Sequence, residues 1–306
     1  MAGAVKRYVV HCNVCGARGV GIDTVMSSRT LPIIRCIPLC FLLLNPLSVA
    51  VAMVGGAPIG DVSIARKVTM IVGSRGNFCT GVALAPALIL TVAHCVLPGA
   101  DYKVLEFDAE HRPILHVARV ARHPQFDLKA LLGHRATADI ALLKLPAPLD
   151  LIPAAVASTD TRVAVGDRFL VTGYGVAQRG EGSSGGTLRA AVLAATGQPG
   201  SLQLRLIDPA APGTGRLGAC TGDSGAPVFA MAAPQALIGL VSWSTGPGMN
   251  AGCGGLTGVT PLARYRSWIM EQAARFGSPL QYRSIIPTPR KTPTTNMREP
   301  GPPRPS

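Results

Sequence analysis

The chain has 306 residues and carries 29 Lys and Arg against 16 Asp and Glu, a formal charge of +13, with 48% hydrophobic and 5% aromatic residues. That length admits two domains, or one β-barrel unit with extensions at its ends. The basic residues form no dense run interleaved with aromatics, which argues against nucleic-acid recognition and leaves a mild attraction to anionic cell surfaces.

Taken from the start, residues 1–25 hold Cys12 and Cys15 in a C-x-x-C, half of a zinc site with no second half at ribbon or finger spacing, so no metal is expected. A true start at Met26 fits better. From there Arg29 and Arg35 supply positive charge, residues 36–44 an apolar core, and Ala50-Val51-Ala52 an A-x-A cleavage site, the parts of a signal peptide. The rival is an uncleaved anchor, because residues 36–54 carry no charge and just reach spanning length. Pro38 and Pro46 weaken a continuous helix there. The expectation is a leader over 1–52, a secreted or periplasmic product, and membrane contact only if the leader stays.

Residues 53–277 read as the folded unit. Apolar, β-branched runs occur at 68–72, 80–92, 103–107, 114–120, 140–145, 168–172, 202–207, 227–231 and 236–242. Between them stand Gly, Pro or Asp, the pattern of an all-β sandwich or barrel. One helix is expected at 262–276, where Leu262, Tyr265, Trp268, Ile269 and Ala273 recur near helical spacing, ended by Gly277 and Pro279. Beyond it, 278–306 is proline-rich and basic with few apolar groups, and is expected to be disordered.

Three stretches carry chemistry. Gly218-Ala219-Cys220-Thr221-Gly222-Asp223-Ser224-Gly225-Ala226-Pro227 sets a serine between glycines that permit a sharp bend on both sides. Such a bend aims the N–H groups of Gly222 and Ser224 at one point, where an oxyanion would sit. Thr91-Val92-Ala93-His94-Cys95 closes an apolar run, and Asp139-Ile140-Ala141-Leu142-Leu143-Lys144-Leu145 opens an alternating strand with an acid. Together these resemble the trypsin/chymotrypsin-like serine endopeptidases, whose signatures read T-A-A-H-C, D-I-A-L-L-x-L and G-D-S-G-G-P in that order. The resemblance covers about 53–276 and is to secreted members of the bacterial type. Val92 and Ala226 depart from it by small apolar swaps, and Gly173-Tyr174-Gly175 stands where the family has G-W-G.

The resemblance implies two six-stranded antiparallel β-barrels with a C-terminal helix packed outside and the site between the barrels. It assigns Ser224 as nucleophile, His94 as the base that takes and returns its proton, and Asp139 as the group that fixes the imidazole. No cofactor is called for. The partner is a protein or peptide substrate, with a monomer expected. A binding protein of the same fold that had lost catalysis would show a broken triad, whereas this one is complete.

Of the eight cysteines, Cys79, Cys95, Cys220 and Cys253 lie in the folded unit. Four cysteines admit three pairings from sequence alone. The resemblance selects Cys79–Cys95 and Cys220–Cys253. It also implies that an N-terminus freed at Met53-Val54-Gly55-Gly56 pairs its ammonium with Asp223. Substrate binding falls to Gly218 at the pocket base, to Ser242 (also the serine behind the acid), Trp243 and Ser244, and to Gly258, which leaves one wall open. Glycine in place of an acid at the base implies an uncharged P1 pocket.

Overall fold

The computed structural model describes residues 53–280 apart from 59–60, 106–113, 134, 158–161, 198–201, 213, 215 and 232–235. The leader with its cleavage site, and the tail from 281 onward, lie outside the described residues. Within them no helix is long and apolar enough to cross a membrane.

A two-residue strand β1 (Ala57–Pro58) and a single helical turn α1 (Val62–Ala65), capped by the Asp61 side chain on Ser63 N–H at 2.9 Å, precede the first sheet. That sheet comprises β2 (Val68–Gly73), β3 (Phe78–Ala85), β4 (Leu88–Thr91), β5 (Tyr102–Leu105), β6 (Ile114–His116), β7 (Arg119–Arg122) and β8 (Ala141–Lys144). Its order is β6-β5-β2-β3-β4-β8-β7, antiparallel throughout. The run expected as one strand over 114–120 is thus split between the two edges. Val117 N–H bonds Tyr102 on the β5 side at 2.9 Å and Ala118 N–H bonds Lys144 on the β8 side at 2.8 Å. One continuous segment therefore joins both edges, and counted as one strand it makes this a six-stranded barrel. The expected run 80–92 is likewise a hairpin, turned at Pro86 and Ala87 because proline has no N–H for a ladder.

A short helix α2 (Leu128–Leu132), capped by Asp127, leads to β8. The second sheet comprises β9 (Arg168–Gly173), β10 (Arg189–Gly197), β11 (Leu204–Ile207), β12 (Pro227–Ala230), β13 (Leu237–Ser244) and β14 (Thr257–Pro261), with β1 on the edge of β10. Pairing of β9 with both β10 and β12 closes these six into a barrel. The last described elements are a 3₁₀ turn at Ala263–Tyr265 and α3 (Arg266–Arg275), shorter than the expected 262–276 because its first turn is 3₁₀. Gly277, at φ +67°, takes the left-handed conformation that stops a helix.

The buried side chains form two cores, the first of which also takes in Phe229, Leu237 and Leu240 of the second sheet, and burying a Leu-sized side chain contributes roughly 1.5–3 kcal/mol. The first is packed by Val82, Ile89, Leu90, Ile140 and Leu142, and continues to α3 through Tyr265, Ile269 and Ala273. The second is packed by Phe169, Val171, Leu193, Leu204, Val228 and Val259. Residues 278–280 belong with the fold, since Lys144 Nζ donates to Ser278 Oγ at 2.8 Å and Leu280 packs against the first core.

Candidate active site

β4 ends at Thr91, and the next residues wind into a 3₁₀ turn, Ala93–Val96, that lifts His94 off the sheet. Asp139 stands just before β8, the neighbour of β4, so pairing of these strands brings histidine and acid together. Asp139 Oδ1 accepts the His94 backbone N–H at 3.0 Å, and Oδ2 meets His94 Nδ1 at 2.8 Å. From β13 in the other barrel, Ser242 Oγ donates to the same Oδ2 at 2.5 Å. The carboxylate has no exposed surface, whereas the imidazole is 20% exposed. A buried charge so enclosed survives because each oxygen is hydrogen-bonded. The arrangement places a proton on Nδ1 and leaves Nε2 to face the cleft.

Ser224 lies on a turn closed by Asp223 N–H on Cys220 O at 3.0 Å and by Ala226 N–H on Asp223 O at 2.8 Å. Gly222 and Gly225 adopt φ +94° and +84°. A Cβ on Gly222 would strike the Phe78 ring at 2.1 Å, and one on Gly225 would strike Thr80 O at 2.1 Å. Glycine is required at both for conformation and for space. Among the described residues, neither Gly222 N–H nor Ser224 N–H donates to a protein acceptor. Ser224 and His94 line one cavity of about 410 Å³, together with Phe78, Gly222, Ser244 and Gly252. No hydrogen bond joins the Ser224 hydroxyl to His94, and such contacts commonly tighten only when substrate is bound.

Asp223 is wholly buried and accepts N–H bonds from Gly175 and Cys220, each at 2.9 Å. Burial pushes its carboxyl up to about 7 against the opposing pull of the Cys220 and Gly175 N–H groups. No cation lies within salt-bridge reach of it among the described residues. Met53 is also fully buried, in the core that contains Ala219 and Ala226, and Val54 forms a bridge with Gly218. The segment 53–54 thus lies beside the turn that carries Asp223.

Of the residues assigned to substrate binding, Ser244 lines the cavity and Gly218, Ser242, Trp243 and Gly258 do not. The space over Gly258 is filled, because a Cβ there would meet the Trp243 indole at 2.0–2.5 Å. A Cβ on Gly218 would stand 3.0–3.2 Å from the Gly254 backbone. The disulfides are Cys79–Cys95 and Cys220–Cys253, the first tying β3 to the histidine turn and the second tying the serine turn to the loop after β13. Cys79, His94 and Cys95 cluster within 4.8 Å, but the two sulfurs are bonded to one another and offer no thiolate to a metal.

Sequence reasoning passed over Phe78, Thr80 and Arg179. Thr80 Oγ1 donates to Gly222 O at 2.9 Å and accepts from Tyr174 N–H at 3.1 Å, while Thr80 N–H holds Ser224 O at 2.8 Å. The one local signal for it was a hydroxyl set in an apolar run directly after Cys79.

The family model described as Trypsin matches residues 53–269. A vitellin-degrading protease of Bombyx mori is 29% identical over 241 residues, covering 70% of this chain and 87% of its own length. With the two barrels and the paired disulfides, this match over most of the described residues identifies the chain as a member of the trypsin family, a serine endopeptidase.

Proposed function

We propose that the chain hydrolyses peptide bonds through a His94–Asp139–Ser224 triad and an acyl-enzyme intermediate. The observation that carries this reading is the enclosed Asp139 carboxylate, bonded to His94 Nδ1 and to Ser242, with Ser224 in the same cavity as the imidazole. His94 takes the Ser224 hydroxyl proton as oxygen attacks the substrate carbonyl, then gives it to the leaving amine. Asp139 holds the Nδ1 tautomer and stabilises the imidazolium. The N–H groups of Gly222 and Ser224 receive the oxyanion, and their lack of other acceptors supports that role. Water then attacks the acyl-enzyme by the same proton relay run with His94 as base.

Residues 1–52 act as a leader whose removal after Ala52 frees Met53, and the new ammonium pairs with Asp223. The uncompensated, buried carboxyl and the position of Met53 and Val54 beside its turn support this activation. The product is a secreted or periplasmic monomer of one protease domain acting on proteins or peptides. An uncharged base of the P1 pocket follows from glycine at position 218, and the cleft lining offers no carboxylate to a basic side chain. Labelling with a fluorophosphonate probe tests the nucleophile directly. Modification of wild-type chain at Ser224, absent in Ser224→Ala, is expected, and labelling of Ser224→Ala at an equal rate would overturn the assignment.

A further inference from the structure

Arg179 follows the Tyr174-Gly175 segment and reaches across the cleft mouth, where its Nη1 donates to Ala251 O at 2.6 Å on the loop after β13. It lines the same cavity as Ser224 and His94, and Thr221 of the serine turn and Ser244 and Gly252 of that loop are also in the lining. A Cβ on Gly252 would stand 3.9 Å from Nη1, so the guanidinium lies against that loop on the exposed rim of the cavity.

The electrostatics of that rim are one-sided. No Asp or Glu lines the cavity, and Asp139 and Asp223 are wholly buried behind it. Arg179 makes no ion pair among the described residues. The carboxylate of nearby Glu181 is occupied by the Gln178 amide, set with its nitrogen at 2.9 and 3.1 Å from the two oxygens. A guanidinium offers five N–H donors, and the bond to Ala251 uses one of them while fixing the plane. The donors that remain form a fork that matches a carboxylate, on a cavity whose lining also includes Thr221 and Ser244.

We infer that Arg179 is a specificity-determining residue that favours substrates carrying a carboxylate side chain at P1. The inference rests on the serine-protease reading above and refines its pocket, uncharged at the base and cationic at the rim. An acidic side chain entering between the serine turn and the 244–253 loop meets the guanidinium before it reaches the floor. A neutral side chain of the same shape gains nothing there, and a basic one is repelled.

The test compares three blocked peptides that differ only at P1, bearing Glu, Gln or Leu. Active-site titration with the fluorophosphonate normalises every variant to folded enzyme. For the wild type, kcat/KM for Glu over Gln is expected to be about fivefold at low ionic strength, as for a good exposed charge pair, and to shrink in high salt. Arg179→Ala should bring the ratio to about one, Arg179→Lys should keep part of it, and Arg179→Glu should invert it. A wild-type ratio at or below one, or a ratio unchanged in Arg179→Ala, overturns the inference while cleavage of the Gln or Leu peptide leaves the protease reading standing. No cleavage of any peptide together with no labelling of Ser224 overturns both.

Discussion

The Thr80 hydroxyl donates to the carbonyl oxygen of Gly222 across 2.9 Å, so a strand of the first barrel holds the turn that the second barrel presents to the cleft. Thr80 has no exposed surface, and the same oxygen takes the Tyr174 N–H at 3.1 Å. Replacing it by valine keeps the shape but leaves a buried carbonyl and a buried N–H without that partner. Thr80→Val should therefore cost about 1–3 kcal/mol in chemical denaturation. It should lower kcat more than it raises KM, because the turn's N–H groups act on the transition state. Thr80→Ser, which restores the hydroxyl, should recover most of both. Equal kcat in the wild type and Thr80→Val would show that the turn holds its shape without this bond.

Ser224→Ala, His94→Ala and Asp139→Asn should each lower kcat for amide hydrolysis by about 10⁴-fold or more. Double and triple combinations should fall little further than the worst single change, because the three groups act as one unit. Additive losses in steady-state kinetics would break the triad assignment.

The activation proposed at Asp223 has a pH signature. With Met53 N in amide linkage, the carboxyl has its folded pKa raised to about 7 from an ordinary 3.8. A raised value means that the folded chain binds the proton more tightly. The stability this confers is whole below pH 3.8 and is lost as pH rises through 7, a decline of roughly 4 kcal/mol. Leader-bearing Ser224→Ala protein should show that slope in thermal unfolding, and Asp223→Asn should abolish it. Protein beginning at Met53, with its ammonium beside the carboxylate, should lose the slope. One extra alanine before Met53 should restore the slope and remove most activity. Identical pH profiles for the leader-bearing and Met53-starting forms would exclude the pairing.

Peptides with Lys or Arg at P1 should be cleaved at least about tenfold more slowly than those with Leu, Met or Phe, measured as kcat/KM. No carboxylate in the cavity lining offers an ion-pair partner to a basic side chain. A natural preference for Arg would place an acid in the pocket that the lining does not contain.

The parts legible from sequence are those whose causes are local. His94, Asp139 and Ser224 each sit in a short motif readable from its neighbours, although β4–β8 pairing and Thr80 hold those motifs in place. The strand β10 was missed because Arg189–Gly197 is alanine-rich, so its place in the sheet comes from partners on β9 and β11 rather than from β propensity. The strand β14 was missed because its Gly258 and Pro261 read as breakers, although that glycine is what admits the Trp243 ring. Ser242 was found through its motif, but Thr80 and Arg179 act on partners 142 and 72 residues away, and no periodicity reports such a contact. The open wall expected at Gly258 failed for the same reason, since a missing side chain says nothing about which neighbour moves in.

His94 stands on the first barrel and Ser224 on the second, and the bonds that unite the barrels at the site span more than one hundred residues of chain, as in Ser242 to Asp139 at a separation of 103. Contacts of such long range form late in folding, because loop closure over that distance must precede any reward from the contact. A nascent chain thus has these groups scattered along an unstructured polymer. The site comes into being only once both barrels have closed, and the topology itself supplies that delay.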